Sequence, residues 1–596
     1  MEIPCVRFDD LSPGGSGSFG LVAPTAEIVA RRIEDVVPAM RRVEQAAREG
    51  LWVAGHVSYE AAPAFNPLLS VRPSGLRDPM RELPLLRFQT FERRVELDAI
   101  ESVYFPAGDY NVSAWAADSS QHEYGSDLAT IGRAIMAGEV ARITHTFRLH
   151  AAFGGDPTAL YHDLMLSQRG QHAACLNVGR FNLVSASPAG FFRKTGDIVA
   201  ATPILASMRR GRWLDEDVHL ADLLRFEGEE SYTNRLVVKE IEAELAELGD
   251  LLPTTPERYL VERLETLWHL AAEIKVRLAK DTSLADIFSA IFPLPSVTGV
   301  PKVEAMALVT ATEDSPRGVY CGAIGFLAPT SPGQFDASFN TAVRTVVIDQ
   351  EEGVAEFGVG APITTRSEAV AAYEEARLKA KILVDRRPDF KLIERLRCEA
   401  GIIAQVRRKT STLISSAQYF GYEVDEVRLE AALAEAAARC TEPSVITLLI
   451  DRDGVVTTAT ASAPPWQEGP GTADLLAAAL AVDSVSTENV YLFHNTTNMR
   501  LADALLRQHQ DVDTVIYCNE RDEVAGAIGG SVVVRIDGEW LTPPLESGTA
   551  PAAFRDRLVE QGAVKVKTID RTQLLAATEI GLIDDVHGWR ALGLVA

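Results

Sequence analysis

Phe292-Pro-Leu-Pro-Ser-Val-Thr-Gly-Val-Pro-Lys302 is the stretch on which the fold of this chain turns. Its Ser296-Val-Thr298-Gly299 turn runs into Pro-Lys302 and offers two hydroxyls, several backbone N–H groups and one ammonium, a donor set suited to a small dicarboxylate. Two related stretches lie downstream, Arg317-Gly-Val-Tyr320-Cys-Gly-Ala-Ile-Gly325 and Phe339-Asn-Thr-Ala-Val-Arg344-Thr345. Arg344 falls inside an apolar run read as a strand, where a guanidinium is costly unless an anion meets it. A substrate carboxylate is one such anion, and a structural Arg–Glu pair is the alternative.

Around these stretches, short apolar runs (Gly179 to Ala186, Val319 to Phe326, Ala342 to Ile348) alternate with amphipathic segments such as Tyr232 to Leu248. This pattern predicts an α+β unit with a large, mostly antiparallel sheet. A helical pattern from Ser367 to Leu383 ends at Asp385-Arg-Arg-Pro-Asp389, which predicts a boundary and two unlike domains, 1–387 and 388–596. The second part reads as helical from Phe390 to Ala438, then as strands at Ser444 to Ile450, Thr514 to Tyr517 and Ser531 to Ile536. Leu11 to Gly20, rich in Gly and Ser, reads as a flexible entry loop.

Composition narrows the function classes. The 596 residues carry 58 Lys and Arg against 83 Asp and Glu, a net charge of −25, so no nucleic-acid partner is expected. No run reaches the roughly 20 apolar residues of a membrane span, and the first residues carry no basic and apolar leader pattern, so a cytoplasmic protein without membrane contact is expected. The six cysteines are widely spaced and include no CxxC pair, which predicts reduced thiols rather than disulfides or a zinc site.

The three quoted stretches, with Gly55-His-Val-Ser-Tyr-Glu-Ala-Ala-Pro63 and Ser185-Ala-Ser-Pro188, closely resemble the chorismate-utilising enzymes, with aminodeoxychorismate synthase component I the nearest member. The resemblance covers nearly all of residues 1–385. It implies a small carboxylate substrate bound by Arg344, Ser296, Thr298, Gly299, Gly360 and Tyr320, with His269 and Lys302 as catalytic groups. As a lone helix histidine in Leu-Trp-His-Leu, His269 would more often be structural, and the resemblance is what makes it a candidate. The family holds magnesium through glutamates on two helices, because a hard cation takes oxygen ligands. Here those positions read Thr233 and Ala372, leaving Glu375 as the aligned carboxylate, so the standard magnesium site is doubtful. Lys239 stands where the family has an acid, Pro362 removes an N–H from the carboxylate loop, and Leu205 replaces the lysine that marks aminodeoxychorismate synthases.

Residues 390–596 are similar to a fold-type-IV pyridoxal-phosphate enzyme of the aminodeoxychorismate lyase kind, an α/β domain. The matching segments are Ser416-Ala417, Phe493-His-Asn-Thr-Thr497, Asn519-Glu520, Leu541-Thr-Pro-Pro544 and Val586-His-Gly-Trp589. Pyridoxal chemistry needs a Schiff-base lysine, an acid at the pyridine nitrogen and cationic phosphate donors. The corresponding residues are Asn495, Gly526 and Thr412, so covalently held pyridoxal phosphate is not expected.

Three functions follow from the two resemblances: a diverged synthase/lyase-like enzyme acting on chorismate or a related carboxylate in aromatic or specialised-metabolite biosynthesis; a non-catalytic scaffold or regulatory partner; or a conventional aminodeoxychorismate synthase making a 4-aminobenzoate precursor. The first would be a lyase or transferase. The family likeness also implies a homodimer and, where ammonia is the nucleophile, a glutamine amidotransferase subunit.

Overall fold

The computed structural model describes all residues except 1–4, 12–16, 77, 98–107, 254–258, 385–388, 472–474, 510 and 596. It divides into two compact units, one of Met1–Arg210 and Ala221–Arg387, the other of Gly211–Leu220 and Pro388–Ala596. The short piece Gly211–Leu220 packs with the second unit, a placement that nothing in its sequence marks.

In the first unit an unbroken series of antiparallel pairings runs through the sheet. Arg142–Gly155 pairs with Val354–Ile363, which pairs with Thr345–Asp349, which pairs in turn with Phe181–Ser187. The series continues through His172–Val178, Val6–Asp10 and the long strand Gly17–Ala30. The flexible entry loop expected over Leu11 to Gly20 is corrected from Gly17 onward, which is already strand, and residues 12–16 lie outside the described residues. A separate sheet joins Ile204–Arg209, Leu267–Ala272 and Tyr259–Arg263. His269 therefore lies on a strand and not on a helix.

Helices cover the sheet with regular apolar stripes. Ile33–Arg48 buries Val36, Met40, Val43 and Ala47, three to four residues apart, as a helix facing a core must. Ser120 and Ser283 close capping boxes with Glu123 and Asp286, satisfying N–H groups that a helix start leaves without partners.

The second unit combines an antiparallel sheet of Leu392–Glu399, Ile402–Ile403, Ser444–Ile450 and Val456–Ser462 with an eight-stranded mixed sheet. Its parallel centre is Leu475–Leu480 flanked by Thr514–Cys518 and Gly588–Leu594. The predicted helical start at Phe390 is corrected here: Leu392–Glu399 is a strand, and the helices are Val406–Phe420 and Glu426–Ala438. No helix among the described residues is long and apolar enough to cross a membrane.

Candidate functional site

A cavity of about 110 Å³ opens in the first unit. Its walls come from the start of strand Arg142–Gly155, the small sheet carrying Leu205 and His269, the 296–297 turn, the 341–344 segment, strand Val354–Ile363 and helix Ala369–Leu378 with the following Lys379. Two glycines let the walls come close. A Cβ at Gly358 would fall 2.2 Å from the Tyr320 ring, and one at Gly360 would fall 2.6 Å from the Thr146 side chain.

Arg344 lines this cavity, 6% exposed. It sits on a bend before strand Thr345–Asp349 with φ of 49°, not within a strand as its apolar neighbours suggest. Its Nη1 donates to Gln168 Oε1, and its Nη2 lies 3.4 Å from His269 Nε2. No carboxylate comes within 4 Å of it among the described residues, so the structural Arg–Glu alternative has no partner there. Burial pulls its pKa down to about 10. Burial likewise holds His269 well below the usual histidine value, with the Arg344 and Lys379 charges adding to it, so its imidazole is neutral at physiological pH. His269 Nδ1 has no protein partner among the described residues.

The cavity also holds charged groups that the sequence did not single out. Arg142, 4% exposed, donates through Nη1 to Leu205 O at 2.9 Å and to Asn234 Oδ1 at 2.9 Å, while its Nε finds no acceptor among the described residues. Lys379 Nζ donates to Gly360 O at 2.8 Å and pairs with Glu375 Oε1 at 3.0 Å, one helical turn away. A signal existed for both: Arg142 interrupts an apolar run just as Arg344 does, and Lys379 follows Glu375 at i+4.

Of the predicted site residues, His269, Arg344, Ser296, Gly360, Tyr320 and Glu375 line the cavity together, and Leu205 does as well. Ser296 also accepts on its carbonyl from Thr144 Oγ1. Tyr320 is kept strongly protonated by burial, with the Arg148 guanidinium 5.0 Å from its ring centre. Lys302, Thr298 and Gly299 are not in its wall. Lys302 starts helix Lys302–Thr312 and its Nζ meets Glu244 at 2.5 Å, so a carboxylate from another helix takes the charge read as catalytic. Thr298 Oγ1 donates to Leu294 O, and Gly299 is needed because a Cβ there would lie 2.3 Å from Arg142 O.

The residues present do not fit a divalent cation. Among the described residues Glu375 is the one carboxylate in the cavity wall, and it is already bound to Lys379. Thr233 turns to Ser231, and no cluster of three metal-binding side chains occurs among the described residues.

The second unit does not fit pyridoxal phosphate either. Asn495 Nδ2 donates to Glu394 Oε2 at 3.3 Å, and the other oxygen of Glu394 holds Lys409 Nζ at 3.0 Å. Lys409 is also 3.0 Å from Asp585, so the buried amine near Asn495 is an ammonium fixed between two carboxylates. A Cβ at Gly526 would fall 2.9 Å from the hydroxyl of Tyr517, its cross-strand neighbour. Thr412 turns its hydroxyl back to Arg408 O.

Residues 20–385 match the model of the chorismate binding enzymes, and the chain belongs to that family. Residues 391–592 match amino-transferase class IV, so a fold-type-IV aminotransferase-like domain follows the chorismate-binding one. A rice protein named a probable chloroplastic aminodeoxychorismate synthase is 29% identical over 309 residues, 50% of this chain and 34% of the relative. Aminodeoxychorismate synthase component 1 of Klebsiella aerogenes is 26% identical over 298 residues, 50% of this chain and 64% of the relative. The chain thus spans about a third of the one and under two thirds of the other. Anthranilate synthase component I from Streptococcus pneumoniae shares the fold at a TM-score of 0.50 and 20% identity, covering 64% of this chain and 93% of that one.

Proposed function

We propose that the first unit is a diverged enzyme of the chorismate-utilising class, acting on chorismate or a related small carboxylate in aromatic or specialised-metabolite biosynthesis without the standard magnesium site. One observation carries this reading: Arg344 is a buried guanidinium in a cavity wall, held by a neutral glutamine and by no carboxylate. A buried charge kept unpaired costs several kcal/mol unless a ligand anion completes it. Neutral His269, 3.4 Å from that guanidinium, stands beside the place of a carboxylate seated on Arg344 and adds no charge that would compete with it. Leu205 in the wall supplies neither nucleophile nor base, which speaks against chemistry routed through a lysine at that place.

In the same reading the second unit holds no covalent pyridoxal phosphate and serves assembly or stability. A homodimer, an ammonia-supplying amidotransferase subunit and a cytoplasmic location belong to the same proposal. The test is incubation of the full chain with chorismate in the presence of a chelator, with and without ammonium, followed by chromatography. A new product made in chelator and lost in Arg344→Gln is expected. Turnover that chelator abolishes would favour the conventional aminodeoxychorismate synthase, and binding without any product would favour a scaffold.

A further inference from the structure

Several buried cations of this chain are neutralised by carboxylates. Arg317 meets Glu313 at 2.7 Å, Lys302 meets Glu244, Arg7 meets Asp9 at 2.7 Å, and Lys409 meets both Glu394 and Asp585. Arg148 has no such pair, but three oxygens accept from it, and the Tyr320 ring lies beside it. Arg142 and Arg344 differ. Both are at least nine-tenths buried, both line the same cavity, and among the described residues both donate only to neutral acceptors, although the Glu375 carboxylate acts on Arg142 through space. In a chain with 83 acidic residues this is no shortage of partners. Lys379 and Glu375 offset each other at 3.0 Å, so the two guanidiniums leave the cavity with an excess of two positive charges.

We propose that Arg142 is the second carboxylate anchor of this cavity and does there the electrostatic work otherwise left to a divalent cation, so that the ligand is a dicarboxylate bound without metal. The proposal rests on the reading of the cavity as a carboxylate site and adds a residue and a ligand charge to it. Its geometry follows from the bonds on the page. Leu205 O and Asn234 Oδ1 both take Nη1, and the buried Nε has no acceptor among the described residues, so the guanidinium keeps donor capacity that the protein does not use. Asn234 follows Thr233, the residue that stands where the resemblance puts a metal-holding glutamate, so that position and the Arg142 guanidinium lie in neighbouring side chains.

The test is calorimetric titration of the full chain with chorismate, a dicarboxylate, and with 4-hydroxybenzoate, a monocarboxylate, in excess chelator. Wild type is expected to bind chorismate equally with chelator and with added magnesium. Arg142→Gln should weaken chorismate about 10- to 100-fold, the loss of a charge-assisted pair, while changing 4-hydroxybenzoate less than about threefold. Arg142→Lys keeps the charge and guards against a folding defect, and should lie between the two because an ammonium cannot present two donors in one plane. Binding of chorismate by wild type only when magnesium is present would overturn the proposal. So would equal losses for the two probes in Arg142→Gln, or wild-type affinity in that variant, with the carboxylate reading left standing. No chorismate binding by wild type under either condition would overturn both.

Discussion

Replacing Arg344 by Met should make the ligand-free protein more stable while removing its response to ligand. Burial depresses the Arg344 pKa from 12.5 to about 10, and at roughly 1.4 kcal/mol per unit the charge costs the folded state about 3 kcal/mol. Met removes that cost with a side chain of similar length. Against it stands the lost hydrogen bond to Gln168 Oε1, whose acceptor is then left buried and unpaired, at about 1–2 kcal/mol. The net gain is about 1–2 kcal/mol, a rise in melting temperature of about 1–3 °C for a unit of this size. Ligand at 100 times its Kd stabilises wild type by about 2.7 kcal/mol through mass action alone. The two proteins should therefore exchange order: Arg344→Met melts higher without ligand, and wild type melts higher in saturating chorismate. Scanning calorimetry of both, with and without chorismate, reads this directly. A variant that melts several degrees below wild type without ligand would refute the reasoning, since Arg344 would then be holding the fold together. A variant that keeps the ligand-induced rise would refute its place in the site.

Further expectations concern other parts of the chain. Glu60 accepts from the N–H groups of Arg317 and Gly318, and burial raises its pKa to about 7 from 4.5. A raised carboxyl pKa means the folded state holds the proton more tightly, so this group's contribution is full below about pH 4.5 and is lost as pH rises through 7. Glu60→Gln should therefore lie furthest below wild type in melting temperature near pH 5, with the gap narrowing towards pH 8; a constant gap would contradict the assignment. Gly358→Ala puts a methyl 2.2 Å from the Tyr320 ring and should cost about 1–3 kcal/mol by denaturant titration, together with weaker chorismate binding. Lys409→Met breaks a buried group of two carboxylates and an ammonium and should destabilise the second unit by about 3–5 kcal/mol. Asn495→Lys with added pyridoxal phosphate should give no borohydride-trapped adduct, because the Tyr517 hydroxyl still stands beside Gly526; a trapped adduct at residue 495 would show the pocket open.

Much of this was legible in the sequence because it is carried by local chemistry. Gly360 and the charge of Arg344 within apolar neighbours are visible without a fold, and both are in the cavity wall. What escaped depends on distant partners. Lys302 resembles an anion donor until Glu244, 58 residues earlier in the chain, is found against it. His269 sits among Leu, Trp and Leu, a run with neither period two nor 3.6, so strand and helix read alike. Leu392–Glu399 alternates inward at Leu392, Glu394, Leu396 and Cys398, but Glu394 breaks the apolar pattern. That carboxylate is buried only because Lys409 and Asn495 meet it from elsewhere. The left-handed backbone at Arg344 is likewise set by the packing around the bend and carries no signal in the residue itself.

The most direct measurement is the heat of chorismate binding to the full wild-type chain in excess chelator. Saturable one-to-one binding that added magnesium leaves unchanged, and that Arg344→Gln abolishes, is the predicted result. Binding seen only with magnesium, or unaltered in Arg344→Gln, would contradict a cavity whose charge is supplied by the protein's own guanidiniums.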